Sequence, residues 1–157
     1  MKVITISGKA EAGKDFFAKI LKKQLEEKGY KVLIVHYADY LKFIAKEYFG
    51  WDGVKDEKGR TLLQHLGTNV VRERMPDFWV YVVALLIMAL GDDFDYYLIP
   101  DCRFPNEISF IKDKFLQSKS VNVYRLNHEN SLTPEQRNHP SETALEGYQF
   151  DYVVYSQ

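Results

Sequence analysis

With 157 residues, 46% of them hydrophobic, the chain is long enough to bury one core without disulfides or a structural metal, and too short for a second full domain. Its 21 Lys and Arg against 22 Asp and Glu leave a formal net charge of −1, which excludes the basic excess of a protein that grips a nucleic-acid polymer or an anionic membrane. One cysteine, Cys102, excludes an internal disulfide and suits a reducing compartment; the opening MKVITISGKA lacks the basic-then-apolar layout of a signal peptide, so a cytoplasmic address is expected.

In chain order, Val3-Ile4-Thr5-Ile6-Ser7 is β-branched and apolar and predicts a strand, which gives way to a turn-rich stretch from Gly8 to Lys14. Phe17, Ile20, Leu21 and Leu25 then recur at helical spacing, with lysines and glutamates on the other face and Gly29 where a left-handed stop residue belongs. Lys31 to Tyr37 (KVLIVHY) predicts a second strand, Ala38 to Gly50 a short helix, Trp51 to Gly59 an exposed loop, and Arg60 to Arg74 a further helix. Phe78 to Leu90 (FWVYVVALLIMAL) falls short of the roughly 20 apolar residues that cross a bilayer; bracketed by Asp77 and Gly91, it reads as a buried helix.

Tyr96 to Pro100 predicts a third strand, ending in Asp101-Cys102-Arg103-Phe104, and Pro105 is placed to begin a helix that runs to about Phe115. Val121 to Leu126 predicts a fourth strand and Tyr152 to Tyr155 a short last one, while Asn127 to Pro140 is polar, without apolar period, and reads as a flap. Strands alternating with helices, without internal repeats or low-complexity segments, argue for a parallel sheet covered on both faces.

Gly8 to Lys14 fits the G-x-x-x-x-G-K pattern of a phosphate loop: glycines let the backbone curl so that N–H groups converge on phosphate oxygens, and Lys14 neutralises β and γ charges. Gly8, Lys9, Ala10, Glu11, Ala12, Gly13, Lys14, Asp15 and Phe16 are therefore the expected ATP-phosphate residues. Asp15 stands where Ser or Thr usually offers a hydroxyl to Mg²⁺. Two roles stay open for it: holding the magnesium, directly or through water, or capping the helix that follows.

Gly8 to Asp15, Arg60-Thr61-Leu62-Leu63-Gln64-His65-Leu66-Gly67-Thr68 with Arg72, and Asp101-Cys102-Arg103-Phe104-Pro105-Asn106-Glu107 together resemble the phage and bacterial deoxynucleotide monophosphate kinases, over most of the chain. In those enzymes the loop commonly reads GKD, as Gly13-Lys14-Asp15 does here, although the hydroxyl residue often found next is replaced by Phe16. The resemblance implies the nucleoside-monophosphate-kinase form of the P-loop NTPase fold: three layers, α/β/α, around a five-stranded parallel sheet in the order 2-3-1-4-5. It places a monophosphate-binding region at about 38–90 and a lid at about 127–142 of a single domain. Similar proteins usually continue with a further helix after the last strand, whereas this sequence stops at Gln157; either it is a compact version or a partner subunit, as in a homodimer, covers one face of the sheet.

On the substrate side, Gln64, Thr68 and Arg72 fall at i, i+4 and i+8 of one helix, a polar stripe that either faces solvent or ends in an arginine able to grip a monophosphate, with Arg60 or Arg74 as helpers. Asp101 and Arg103 sit two apart at a strand end, where parallel sheets place ligands; Asp101 could order the water shell of Mg²⁺ while Arg103 binds phosphate, as the similar enzymes use an Asp-x-Arg here, or the two could form an ordinary ion pair. Asp39 could accept bonds from a sugar or base, and Trp79, Phe78 and Phe43 could stack on one, though large aromatics are mostly core material. Glu107 joins the expected substrate-binding residues. Arg125 and Arg137 flank the polar flap and could close over the transferring group, with His139, Ser141 and Glu142 nearby. His36, His65, His128 and His139 show no metal-ligand spacing, so no zinc is assigned.

The reaction expected is transfer of the γ-phosphoryl of ATP, with Mg²⁺, to a deoxynucleoside 5′-monophosphate, with Lys14, Arg103 and Arg137 catalytic and Asp15 and Asp101 at the metal. The rivals are a P-loop kinase for another small phosphorylated acceptor, such as phosphomevalonate, and a nucleotide-binding regulator without catalysis.

Overall fold

The computed structural model describes residues 1–126 and 130–156; Asn127, His128 and Glu129, the first part of the expected lid, lie outside the described residues, as does Gln157. Five strands, β1 (Lys2–Ser7), β2 (Val32–Ile34), β3 (Tyr96–Cys102), β4 (Ser118–Arg125) and β5 (Tyr152–Ser156), form one parallel sheet in the order β2-β3-β1-β4-β5. Strand side chains alternate between faces, and the core divides accordingly. Tyr97, Ile99 and Val3 meet α4 (Phe78–Leu90) and α5 (Pro105–Lys114) on one face, and Leu98, Ile6, Val121 and Val123 meet α1 (Lys14–Glu27) on the other.

Register slips between β1 and β3 at one point: Thr5 pairs with Ile99 but Ser7 with Cys102, so β3 carries an extra residue beside Pro100. Proline has no N–H for the ladder, and a bulge is where a central strand tolerates one. The third strand thereby runs past Pro100, where the sequence pattern ended it.

Two helical segments lie between β2 and α4. The first, α2 (Ala38–Phe49), starts with its free Tyr37 and Ala38 amides donating to Asp101 of β3 at 3.0 and 2.9 Å. The second begins at Glu57, three residues before the expected start, because Asp56 caps it through Gly59 N–H at 2.7 Å. Trp51, expected in an exposed loop, is buried against Ala45 and Leu66, with its indole N–H on the Val54 carbonyl. Gly59 fits because a Cβ there would meet the Val54 oxygen at 2.1 Å.

The expected single helix from Arg60 to Arg74 is in fact α3 (Glu57–Gln64) running into a π-helical segment, His65–Arg72. Trp79 supplies a physical reason: its indole N–H donates to the Gly67 carbonyl at 3.0 Å, and Leu41 packs so close to Gly67 that a Cβ would come within 2.8 Å. A side chain that competes for a carbonyl loosens the i→i−4 ladder.

Helix α4 is not buried all round. Trp79, Val80, Val83, Ala84 and Ile87 pack on the sheet, while Tyr81, Leu85 and Met88 on the opposite face are 50%, 62% and 58% exposed. The polar flap also has structure: Thr133 and Gln136 form a capping box for α6 (Pro134–Arg137), and His139 caps α7 (Pro140–Thr143). No helix among the described residues is long and apolar enough to cross a membrane.

Candidate active site

The loop from Gly8 to Lys14 wraps the ammonium of Lys14, which is only 7% exposed and donates to the Gly8 and Lys9 carbonyls at 2.8 Å each. Gly8 sits at φ +148 with no room for a side chain, since a Cβ would meet the Val123 oxygen at 2.5 Å; Gly13 turns into α1 at φ +91. Lys14 forms no ion pair among the described residues, and burial, helped by the Arg103 charge, lowers its pKa to about 7. A buried cation held by carbonyls, next to the amides of a helix N-terminus, makes the electrostatics of this loop favourable to an anion. Asp15 does not cap α1: its exposed carboxylate lies 3.3 Å from His36 Nε2, and Phe16 is 69% exposed.

Beside this loop lies a cavity of about 400 Å³. Ala10, Glu11, Lys14 and Asp15 line it from the phosphate loop; Arg60, Gln64, Thr68 and Arg72 line it from α3 and the π-helical segment; Asp101 and Arg103 come from the β3 end, Glu107 from the start of α5, and Glu142 from α7. The π-helical turn thus presents the polar stripe to the cavity and not to bulk solvent. Trp79 contributes one wall while staying core material, 3% exposed. His36, Lys42 and Lys55 also line the cavity without having been assigned to it; their signal was only their place after β2, on α2 and in the loop before α3.

Asp101 and Arg103 do not pair with each other. The Asp101 carboxylate takes the two α2 amides, and burial raises its pKa against the pull of those bonds. Arg103 donates to Glu142, whose other oxygen accepts the Ala10 N–H at 2.9 Å, and Lys9 reaches Glu146 at 2.6 Å. Arg72 meets Glu107 at 2.7 Å, lies 3.9 Å from the Phe104 ring centre and donates to the Pro76 carbonyl. Glu107 is 1% exposed, with both oxygens engaged by protein donors.

Other expected residues stay outside the cavity. Asp39 accepts from His36 N–H at 3.2 Å on the exposed start of α2. Arg125 donates to the Glu11 carbonyl at 3.4 Å, and Arg137 ties its own loop together through the Leu132 and Asn130 carbonyls. His139 accepts the Ser141 N–H as the α7 cap, and burial lowers its pKa. Gly8 and Lys9 line a smaller neighbouring cavity of about 60 Å³.

The residues fit Mg²⁺ as kinases hold it, mainly by phosphate and water with one or two carboxylates. Asp15 is open at the cavity and each Asp101 oxygen keeps a lone pair for water, while no cluster of three or more ligating side chains exists among the described residues.

No family model and no curated protein matches the chain. Solved structures do: TT1252 from Thermus thermophilus aligns at a TM-score of 0.53 and 15% identity over 99% of this chain and 88% of its own. The Mycobacterium tuberculosis APS kinase CysC, in complex with AMPPNP and APS, aligns at 0.51 and 13% over 99% and 88%. At such identity the likeness speaks to architecture, and the chain has the three-layer α/β/α fold of the P-loop kinases, with a sheet in the order 2-3-1-4-5.

Proposed function

We propose that this chain is a kinase that transfers the γ-phosphoryl group of ATP to a nucleoside 5′-monophosphate, with deoxynucleoside monophosphates preferred. One observation carries the reading: a single cavity is lined both by a buried ammonium in a phosphate loop, Lys14, and by a preset guanidinium, Arg72, on a separate element. Two anion-binding groups facing one space suit a reaction that joins two phosphates, and the APS kinase neighbour binds the ATP analogue AMPPNP in the same fold.

In this reading Lys14 and Arg103 hold the donor phosphates and spread the charge that develops as an acceptor phosphate oxygen attacks the γ-phosphorus and the bond to the leaving ADP breaks. Arg72, aided by Arg60, holds the acceptor phosphate. Asp15 and Asp101 would hold Mg²⁺, directly or through water, and the ion would supply positive charge against the negative charge of the donor phosphates. Positioning supplies most of the catalysis, so no general base is required. The α6–α7 segment closes over the transfer point and excludes water, with Arg125 and Arg137 at its rim.

The same neighbour binds APS, which keeps another small phosphorylated acceptor, such as phosphomevalonate, as the second reading. Incubation with γ-labelled ATP and a panel of deoxy- and ribonucleoside monophosphates, phosphomevalonate and APS separates the two by which acceptor becomes labelled. ATP binding without acceptor-dependent ADP release sinks both and leaves a regulator. We further propose a homodimer joined through the outer face of α4, and action in the reducing cytoplasm on small molecules, without nucleic acid or membrane as partner.

A further inference from the structure

Glu107 does more than a helix cap requires. Its Oε2 accepts the N–H groups of Arg103 at 2.6 Å and Phe104 at 3.0 Å, which satisfies the free amides before α5. Capping needs one oxygen. The other, Oε1, accepts from Arg72 Nη2 at 2.7 Å, a residue 35 positions away on the π-helical segment. The guanidinium held there is fixed on two further sides, by the Phe104 ring at 3.9 Å and by the Pro76 carbonyl at 3.3 Å.

Such a pair is a poor device for stability alone, because burying both charges costs about what their attraction returns. What it does give is geometry. An arginine loses considerable rotamer freedom when it first grips an anion, and one already locked against a ring and a carboxylate loses little. The same carboxylate fixes the backbone at Arg103, the residue on the donor side of the cavity.

We propose that Glu107 is a positioning residue for phosphoryl transfer, touching neither substrate but holding Arg72 ready for the acceptor phosphate and tying it to the Arg103-bearing strand end. The inference rests on the reading of Arg72 as the acceptor arginine.

Glu107→Gln tests it selectively. The amide oxygen can keep the two backbone N–H bonds, whereas the amide NH₂ meets Arg72 donor to donor and releases the guanidinium. With dAMP, dCMP, dGMP and dTMP as probes, the acceptor KM rises by roughly tenfold or more while the ATP KM stays within about twofold, the pattern of lost acceptor binding. Arg72→Gln gives the same split, and the double variant adds little beyond either single one. Should Glu107→Gln not fold, Glu107→Asp, which keeps the charge but falls a methylene short of Arg72, is expected to show the same split. Unchanged acceptor KM in an active variant, parallel rises in both KM values, or full additivity overturns the inference and leaves the proposed function standing. A wild type that labels none of the four monophosphates overturns both.

Discussion

Lys14 makes a quantitative prediction because its environment sets its proton affinity. Burial takes the ammonium from an ordinary pKa of 10.5 to about 7, so at pH 6.5 the folded protein carries a desolvated charge that costs on the order of 5 kcal/mol relative to the unfolded chain. The sign follows from proton counts. Between pH 7 and 10.5 the unfolded state binds the proton and the folded state does not, so this contribution to stability improves as pH rises through the window and is worst below it. Lys14→Met removes the group: in the absence of nucleotide, its melting temperature at pH 6.5 should exceed that of wild type by roughly 10 °C or more, and the gap should close toward pH 10. Taking the difference between the two proteins cancels other groups that titrate at high pH, such as the Cys102 thiol and the Tyr37 phenol, both pushed up by burial. A triphosphate restores the ammonium's reason to be charged, so ATP binding at pH 8.5 should take up close to one proton. Titration calorimetry in HEPES and in Tris measures that uptake. Equal heats in the two buffers, or a variant no more stable than wild type at pH 6.5, would refute the account of Lys14.

The Glu142 carboxylate occupies a phosphate-loop amide, Ala10 N–H, and the Arg103 guanidinium together, so it competes with an incoming phosphate. At close range such like-charge contact is worth about 1–4 kcal/mol, and Glu142→Gln should tighten ATP binding by about tenfold in the same calorimetric assay; weaker binding counts against competition. Gly8→Ala drives a Cβ against the Val123 carbonyl at φ +148 and should cost about 1–3 kcal/mol in urea unfolding; a neutral outcome would mean the loop adapts freely. Leu85→Asp on the outer face of α4 should convert a dimer to a monomer in analytical ultracentrifugation, and a wild type that already sediments as a monomer rules that interface out.

Much of the fold was legible because strand and helix periods here coincide with burial. Val3 to Ser7 and Tyr96 to Pro100 are largely apolar and β-branched or aromatic, and the structure buries them on both faces of the parallel sheet, as it does Val121 to Val123, so local pattern and tertiary demand agree. Where they diverge, the pattern misled. An all-apolar helix such as Phe78 to Leu90 does not announce which stripe meets the sheet. Helices of one turn, such as α6 and α7, have no period to detect, though Thr133-Pro134-Glu135-Gln136 carried a capping signal. The π-helical segment depends on Trp79 reaching Gly67, a contact that no local propensity encodes. Within the site, the phosphate loop is contiguous and was readable. The hold of Glu142 on Ala10 spans 132 positions and that of Glu107 on Arg72 spans 35, so each needed the fold to bring its partners together.

The bulge beside Pro100 connects these contacts. Without the extra residue, Asp101 would lie in register with β1; with it, Asp101 reaches the start of α2 and Cys102 returns to the core. Arg103 then leaves the sheet with its amide on Glu107 and its guanidinium on Glu142. Asp101, Glu107 and Glu142 thus each spend at least one oxygen on a backbone N–H group, and Glu107 and Glu142 give the other to an arginine. Lys14 and Arg60, in contrast, meet no carboxylate among the described residues. In a chain of net charge −1, Asp101 is thus held by amides, Glu107 and Glu142 are shared between amides and the arginines Arg72 and Arg103, and Lys14 and Arg60 stand without a carboxylate, a distribution that counting charges along the sequence cannot register.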